Sequence, residues 1–212
     1  MIKFILSIAV LTIFALQCFS QQTFEGSIFF ARITNIDTTY YAYHVKGDMV
    51  RVDELDKNKV IMNSLLVDIK NQKLTAMSPA RKLYMKMHVN PYNPEPDKNF
   101  EIIKTDNKKN ILGYECEQWR VKNKAQNTEI SYWVADNNFC FFSDLLKLLN
   151  RSEKQAKFFL QIPGTKCLGP LLSEERTLLR SQRMKLSVID IKKSKLDNSV
   201  FQIPPDYKNF ER

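Results

Sequence analysis

The stretch SIFFARITNIDTTYYAYHVKGDMVRVDE, residues 27–54, contains three runs of β-branched and aromatic residues separated by short polar segments. Val, Ile, Thr, Tyr and Phe favour strands, whereas Gly, Asp and Asn favour turns. The tripeptide Lys46-Gly47-Asp48 separates two of the runs. Turn signals of this kind recur about every eight to twelve residues from Thr23 to Met87, and this spacing predicts an antiparallel meander of strands.

Strand-like runs continue on both sides of NPYNPEPDKN, residues 90–99, whose three prolines predict a loop. Strand periodicity within the run at 110–123 places Tyr114 and Cys116 on one face and Trp119 and Val121 on the other. The further predicted strands are SLLVDIK (64–70), KLTAM (73–77), RKLYMKM (81–87), FEIIKT (100–105), NILGYECEQWRVKN (110–123), TEISYWVAD (128–136), PLLSEERTLL (170–179) and RMKLSVIDIKK (183–193).

The pattern changes to helical spacing after Asp136. In FFSDLLKLLN, residues 141–150, Ser143 is a candidate N-cap, and apolar side chains share one helical face. A second helix is predicted within SEKQAKFFLQI, residues 152–162, where Ser152 and Gln155 have capping-box spacing. The apolar face of the first helix comprises Phe141, Leu145, Leu148 and Leu149.

These patterns together predict one α+β domain over residues 21–212. A curved antiparallel sheet dominates it, and a helical insertion at about 141–162 packs against the sheet. The composition, with 44% hydrophobic and 26% charged residues, is that of an ordinary globular protein. No linker or internal repeat divides the chain into two domains.

The N-terminal residues 1–20 are predicted to be a cleaved secretory signal peptide. Lys3 precedes the apolar run FILSIAVLTIFAL, which is too short to span a bilayer. Cleavage after the small residue Ser20 would leave Gln21 as the first mature residue. The alternatives are a lipoprotein signal acylated at Cys18, which follows Gln17 instead of a small residue, and a retained anchor.

An exported chain of this kind retains three cysteines, Cys116, Cys140 and Cys167. Export favours disulfide formation. Cys140–Cys167 is the preferred pair because these two residues flank the predicted helical insertion. The alternative is that all three cysteines are reduced and buried as small hydrophobic residues.

Motifs of common enzyme chemistry are absent. The sequence contains no G-x-S-x-G, H-E-x-x-H, C-x-x-C, P-loop or G-x-G-x-x-G pattern. His44 and His88 lie in different predicted strands without a neighbouring acid and thiol, which favours packing or surface roles. We therefore predict a non-enzymatic protein without a catalytic residue, cofactor or metal site.

Two groups of acidic residues have structural explanations. Glu115 and Glu117 share one face of a predicted strand, but a pair of catalytic carboxylates would also need a cleft. Asp53, Glu54 and Asp56 lie beside a turn without the spacing of an EF-hand. A solvated sheet face and a surface turn account for them.

The basic balance of the chain restricts its partners. Lys+Arg 32 against Asp+Glu 23 gives a formal charge of +9, but the basic residues are dispersed in short groups. Nucleic-acid binding would need a contiguous basic face, so we predict no nucleic-acid partner. An anionic membrane surface is a possible partner, and solubility alone is the alternative explanation. The sequence does not predict an oligomeric state.

Four segments resemble a family of exported bacterial proteins of unknown function: EGSIFF (25–30), ILGYECEQWRV (111–121), EISYWVAD (129–136) and VIDIKKSKLDNSVFQIPPDYKNF (188–210). The resemblance covers most of the mature chain, and the last segment is its most specific part. That family is similar in fold to periplasmic lipoprotein carriers. The resemblance implies an open half-barrel whose concave apolar face is capped by helices and can hold acyl chains.

The function expected from the resemblance is that of an exported binding protein for a lipid or other apolar ligand. Consecutive aromatic pairs such as Tyr132-Trp133 must face both sides of a sheet, so both sides need cover. The alternative function is a structural or interaction component of the envelope or secreted surface without a small ligand. The residues predicted to form the cavity or its lid are Leu145, Leu148, Phe158, Phe159, Tyr132 and Trp119.

Overall fold

The computed structural model describes residues 23–94, 98–150 and 153–210. The predicted signal peptide, residues 1–20, lies outside the described residues, and so does Cys18 within it. In the described ranges no helix is both long and apolar enough to cross a membrane.

Twelve strands form one open sheet in this part of the chain, in the order β12-β6-β5-β4-β3-β2-β1-β11-β10-β9-β8-β7. All neighbouring strands are antiparallel except β12 and β6, which form a two-residue parallel pair. The predicted α+β class with a curved antiparallel sheet is confirmed. The strands are β1 Glu25–Thr34, β2 Thr38–Lys46, β3 Met49–Leu55, β4 Ile61–Asp68, β5 Lys73–Ser78, β6 Leu83–Met87, β7 Phe100–Ile111, β8 Tyr114–Asn123, β9 Thr128–Asp136, β10 Leu168–Arg176, β11 Gln182–Lys193 and β12 Lys208–Asn209.

Two short helices, α1 Phe141–Leu149 and α2 Lys154–Phe159, lie between β9 and β10. Single turns of 3₁₀-helix occur at Pro79–Arg81, Thr165–Cys167 and Asn198–Phe201. The helices therefore form the insertion that the sequence predicted at about 141–162, although regular α2 ends three residues earlier.

Strand β1 joins the two halves of the sheet. It pairs with its sequence neighbour β2 on one side and with the distant β11 on the other. Gly26 makes this close approach possible: its φ is 145°, and a Cβ there would lie 2.1 Å from the Lys192 carbonyl oxygen. Any larger residue at position 26 would push the two strands apart.

The run at 110–123, expected to be one strand, contains the turn of a hairpin near its start, and only its later part forms a single strand. β7 ends at Ile111, and β8 begins at Tyr114. The linking residues Leu112 and Gly113 both have positive φ, 51° and 85°, as a two-residue hairpin turn requires. The sequence did not predict this turn, because the apolar Leu112 continues a strand-like run of residues.

Two apolar clusters form the core. The first unites Ile28, Phe30 and Val45 with Phe142 and Leu145 of α1. The second packs Val121 and Ile130 against Phe158, Phe159 and Ile162 at and after α2. Strand β8 supplies Tyr114 and Cys116 to the first cluster and Val121 to the second, so both of its faces are covered, as its alternation predicted.

The helix starts differ from the predicted caps. Cys140, not Ser143, is the N-cap residue of α1. Ser143 is buried inside the helix with its Oγ 3.4 Å from Thr165 Oγ1, because the helix begins at the end of the packed Phe139 turn. The α2 N-cap is Glu153, and Gln155 donates to Glu175 Oε2 at 2.6 Å instead of capping; Ser152 lies outside the described residues.

A disulfide joins Cys140 to Cys167, which are 27 positions apart. The bridge closes the segment that carries both helices, so the predicted pairing is confirmed. Cys116 is free and fully buried. Burial raises the pKa of its thiol to about 11, which leaves the thiol protonated and unreactive at neutral pH.

Replacing both bridged cysteines, Cys140→Ala with Cys167→Ala, should lower the free energy of unfolding by about 3–4 kcal/mol, because the bridge restricts the unfolded chain. Urea unfolding at neutral pH measures the difference. As an internal control, iodoacetamide should label Cys116 only after denaturation. Peptide mapping that links Cys116 to Cys140 or Cys167 would contradict the assignment.

Candidate ligand cavity

A cavity of about 410 Å³ lies between strands β1–β4, strand β11 and the two helices. On the sheet side its wall is mainly aromatic and aliphatic, with a few polar groups. On the other side it is closed by α1 and by the start of α2. The lining residues are Phe30, Arg32, Tyr41, Tyr43, Val52, Glu54, Asn63, Ser64, Leu65, Met184 and Leu186 from the sheet, and Leu146, Leu149, Glu153, Gln155 and Ala156 from the helical side.

The strand register builds the sheet wall in rows. Residues directly opposite each other on neighbouring strands share a face, so Tyr43, Val52 and Leu65 form one continuous row. Beside it, on the same face, lies a row of three fully buried core residues that do not line the cavity, Val45, Val50 and Val67. This end of the wall is apolar.

The polarity of the wall rises in the opposite direction. The next row contains Tyr41, Glu54 and Asn63, and the amide of Asn63 donates to Glu54 Oε2 at 3.2 Å. Beyond it lies Arg32 of β1, paired with Thr39 on β2 and Leu186 on β11. The cavity is therefore apolar at one end and has acidic, amide and basic side chains at the other.

The residues predicted from the sequence to form the cavity or lid belong to the packed cores. Leu145 and Leu148 lie in the first cluster, and the other four lie in or against the second: Phe158, Phe159, Tyr132 and Trp119. None of the six lines the cavity. The helices turn their most apolar face into the sheet, and the neighbouring positions Leu146, Leu149 and Ala156 face the cavity.

Sequence reasoning missed the residues that line the sheet side of the cavity, although a signal for one of them was present. In SIFFARI, the alternation that buries Ile28 and Phe30 also places Arg32 on the same face. A charged residue in phase with core residues marks the edge of an apolar surface.

Tyr132 fixes the position of α2 on the sheet. Its hydroxyl donates to the Gln155 carbonyl oxygen at 2.7 Å, and its ring packs against Phe159 at a centroid distance of 5.7 Å. Burial raises the pKa of Tyr132, and the nearby Glu175 charge adds to the effect. The hydroxyl therefore stays protonated as a hydrogen-bond donor across the physiological range.

A polar cluster lies on the opposite face of the same strands, because Asp53 alternates with Val52 and Glu54. Arg51 Nε donates to Asp53 Oδ1 at 2.8 Å, and Ser64 Oγ donates to the same oxygen. His44 Nε2 lies 3.5 Å from Asp53 Oδ2. Burial alone would raise the pKa of Asp53, but the hydrogen bonds from His44, Ser64 and Arg51 outweigh it and lower the pKa.

This cluster accounts for two of the residues considered as sites. Arg51 also donates to the Val200 carbonyl oxygen at 3.2 Å, which ties the C-terminal segment to the sheet. Ser27 Oγ lies 2.7 Å from His44 Nδ1. Asp53 and His44 thus act in a buried structural network. In the ranges that the structure covers, no group of three or more His, Cys, Asp or Glu side chains is arranged to hold a metal ion.

The other acidic candidates and several basic groups form surface contacts. Glu115 pairs with Lys108 at 2.8 Å, and the hydrogen bond from Lys108 lowers the Glu115 pKa. Glu117 pairs with Lys104 at 2.6 Å. Further contacts of basic side chains are Lys82–Asp206 at 2.9 Å, Lys192 over Phe29 and Lys193 over Tyr114.

Residues 24–207 match the sequence profile of a family described as "Domain of unknown function (DUF4412)". The chain belongs to this family. The family membership expected from the sequence is therefore confirmed for nearly the whole described part of the DUF4412 chain. No protein of curated function matches it.

The DUF4412 fold is similar to that of an uncharacterized conserved protein from Thermus thermophilus. The two are 8% identical with a TM-score of 0.51, and the match covers 89% of this chain and 91% of the other. This likeness shows a shared fold.

Two further solved structures have lower scores. In the MucA/MucB complex of Pseudomonas aeruginosa, the identity is 8%, the coverage is 86% of this chain and 56% of the other, and the TM-score is 0.49. A Vibrio parahaemolyticus domain described as an outer membrane lipoprotein-sorting protein domain is 8% identical, with coverage of 83% and 87% and a TM-score of 0.31.

Replacing Asp53 by Asn should lower the free energy of unfolding at pH 7 by about 3 kcal/mol, because Arg51 would lose its buried counter-ion. The folded-state pKa of Asp53 lies below the unfolded value of about 3.9, so its carboxylate stabilises the fold above that pH and loses this effect as the pH falls through the folded pKa. The difference in free energy of unfolding between the wild-type protein and Asp53→Asn, measured by urea unfolding, should therefore be smaller at pH 3 than at pH 7. Glu101→Gln, at an exposed ion pair, is the matched control and should change stability little.

Replacing Tyr132 by Phe should remove the hydrogen bond to α2 and lower the free energy of unfolding by about 1 kcal/mol, while leaving the ring packing in place. The substitution should accelerate amide hydrogen exchange in α2 more than it accelerates exchange in β2 or β3. Uniform acceleration across the sheet would contradict a local anchoring role for Tyr132.

Proposed function

We propose that this DUF4412 protein is an exported, non-enzymatic binding protein that holds a lipid acyl chain or another apolar ligand between its sheet and its helices. The observation that carries the proposal is the cavity of about 410 Å³ with its aromatic and aliphatic walls. Its volume falls within the range of about 300–1,000 Å³ that is usual for small-molecule sites.

In this proposal the sheet acts as an open half-barrel and the two helices act as its lid. The lid rests on the core through Leu145, Leu148, Phe158 and Phe159, while Leu146 and Leu149 face the ligand. The Cys140–Cys167 bridge holds both ends of the lid segment together. A ligand would therefore enter beside the helices while the lid stays attached.

The disulfide also supports export, since such bridges persist in oxidising compartments and are rare in the cytosol. The predicted signal peptide, cleaved after Ser20, would deliver the chain to the periplasm or the exterior. A lipid-anchored form attached through Cys18 is the alternative mode of delivery. After cleavage the chain would have 31 Lys and Arg against 23 Asp and Glu, and its formal charge of +8 would favour encounters with an anionic membrane surface, where apolar ligands are found.

The energetics of an acyl chain fit a carrier. Each buried methylene contributes about 0.8 kcal/mol, so ten of them offer about 8 kcal/mol before the cost of association. A micromolar dissociation constant corresponds to about 8.2 kcal/mol. The cost of association brings the expected affinity to micromolar or weaker, which permits both loading and release.

The proposal is tested with N-phenyl-1-naphthylamine, an uncharged probe that fluoresces in apolar sites. It should bind the mature protein saturably. Leu149→Trp should fill part of the cavity and weaken binding about tenfold, the equivalent of roughly two methylenes. Leu179→Trp is the matched control, because Leu179 is 88% exposed in the turn after β10 and lies outside the cavity.

Circular dichroism should show both variants folded. Native mass spectrometry and solvent extraction of protein purified from its native compartment should in addition reveal a bound apolar molecule. If the probe does not saturate and no such molecule is found, the alternative function, an envelope or surface component without a small ligand, replaces this one. Equal weakening by both tryptophans would also count against the cavity as the binding site.

A further inference from the structure

The cavity contains one basic group, Arg32, and this group has an unusual environment. Four other arginines in strands each pair with a carboxylate: Arg51 with Asp53, Arg120 and Arg176 with Glu129, and Arg183 with Glu175. Among the residues that the structure describes, the side chain of Arg32 has neither an ion-pair partner nor a hydrogen-bond partner. A guanidinium on a cavity wall without a counter-ion has five N–H donors available to a ligand.

The position of Arg32 relates this free group to the apolar end of the cavity. Ile28, Phe30 and Arg32 follow one another on the same face of β1. The immediate neighbours of Ile28 are Tyr43 and Ile191, and those of Phe30 are Tyr41 and Val188, whereas Arg32 stands at the polar end beside Thr39. A ligand lying along β1 would therefore meet apolar surface first and the guanidinium last.

We infer that the ligand is a single-chain amphiphile with an oxyanion head group, a carboxylate or a phosphate, and that Arg32 binds this head group. The inference rests on the proposed function, since it assigns the ligand class of the same cavity. A guanidinium fits either oxyanion with two parallel N–H···O bonds, which gives selectivity as well as affinity.

The cavity wall also contains two carboxylates, and they bear on which group attracts the head group of the ligand. Glu54 lies one row from Arg32 and accepts a hydrogen bond from Asn63, and Glu153 is the N-cap residue of α2. Glu54 repels an anion, and Arg32 is the one basic side chain in the lining of the cavity, so the charge attraction to an oxyanion comes from Arg32. Glu54→Gln should accordingly raise the affinity for anionic ligands and leave that for uncharged ligands unchanged.

The test measures displacement of N-phenyl-1-naphthylamine by dodecanoate, dodecyl phosphate and dodecanol, which share one chain and differ in the head group. On the wild-type protein, at least one of the two anions should bind about 10- to 100-fold more tightly than dodecanol, the range expected for charge-assisted hydrogen bonds. The ratio between dodecanoate and dodecyl phosphate distinguishes a fatty-acid ligand from a phosphate-bearing lipid.

Arg32→Gln should abolish the preference for anions by weakening the binding of dodecanoate and dodecyl phosphate far more than that of dodecanol, and circular dichroism should show that the variant is folded. Arg32→Lys, which keeps the charge but loses the planar fork, should retain part of the preference. Equal binding of all three ligands to the wild-type protein would overturn the inference and leave the cavity proposal intact. Equal weakening of all three by Arg32→Gln would do the same, whereas failure of the probe to bind at all would overturn both.

Discussion

The pairing of β1 with β11 is the constraint on which the rest of the structure depends. It joins the meander formed by β1–β6 to the strands β7–β11 and so makes one sheet of two halves. The cavity exists only because of this pairing, since β1 supplies Phe30 and Arg32 and β11 supplies Met184 and Leu186. The whole arrangement depends on Gly26, where the Lys192 carbonyl leaves no room for a side chain.

The sheet also separates two kinds of chemistry. One face of β2–β4 carries the aliphatic and aromatic rows of the cavity, and the other face carries the network around Asp53. That network reaches the C-terminal segment through Arg51, and Lys46 Nζ donates to the Leu196 carbonyl oxygen at 2.6 Å. The Leu196 amide in turn donates to Glu25 Oε1 at 3.0 Å. The C-terminal part of residues 188–210, the segment with the most specific sequence resemblance, is thus bound to the face of the sheet opposite the cavity.

Much of the fold could be predicted from the sequence, because strand alternation and turn residues act locally. The disulfide could be predicted as well, since its cysteines flank the helical insertion. The Leu112-Gly113 turn was missed because an apolar residue occupies a position where φ is positive.

The residues that line the cavity could not be predicted from local sequence patterns. Periodicity shows which face of α1 is apolar, but it does not show which apolar residues stay uncovered after packing. Leu145 and Leu148 were therefore expected at the cavity, whereas Leu146 and Leu149 line it. The rows that end at Arg32 follow from the register between strands far apart in the chain, and sequence patterns do not encode that register.

The β1–β11 pairing also has a consequence for the order of events during synthesis. β1 is among the first strands to be made, and its partner is among the last, so the sheet cannot be completed until almost the entire chain is available. Contacts this distant in sequence form late, because a long loop has to close before they contribute. For the export that we propose, this delay is useful, because the sheet stays incomplete until the C-terminal strands are available.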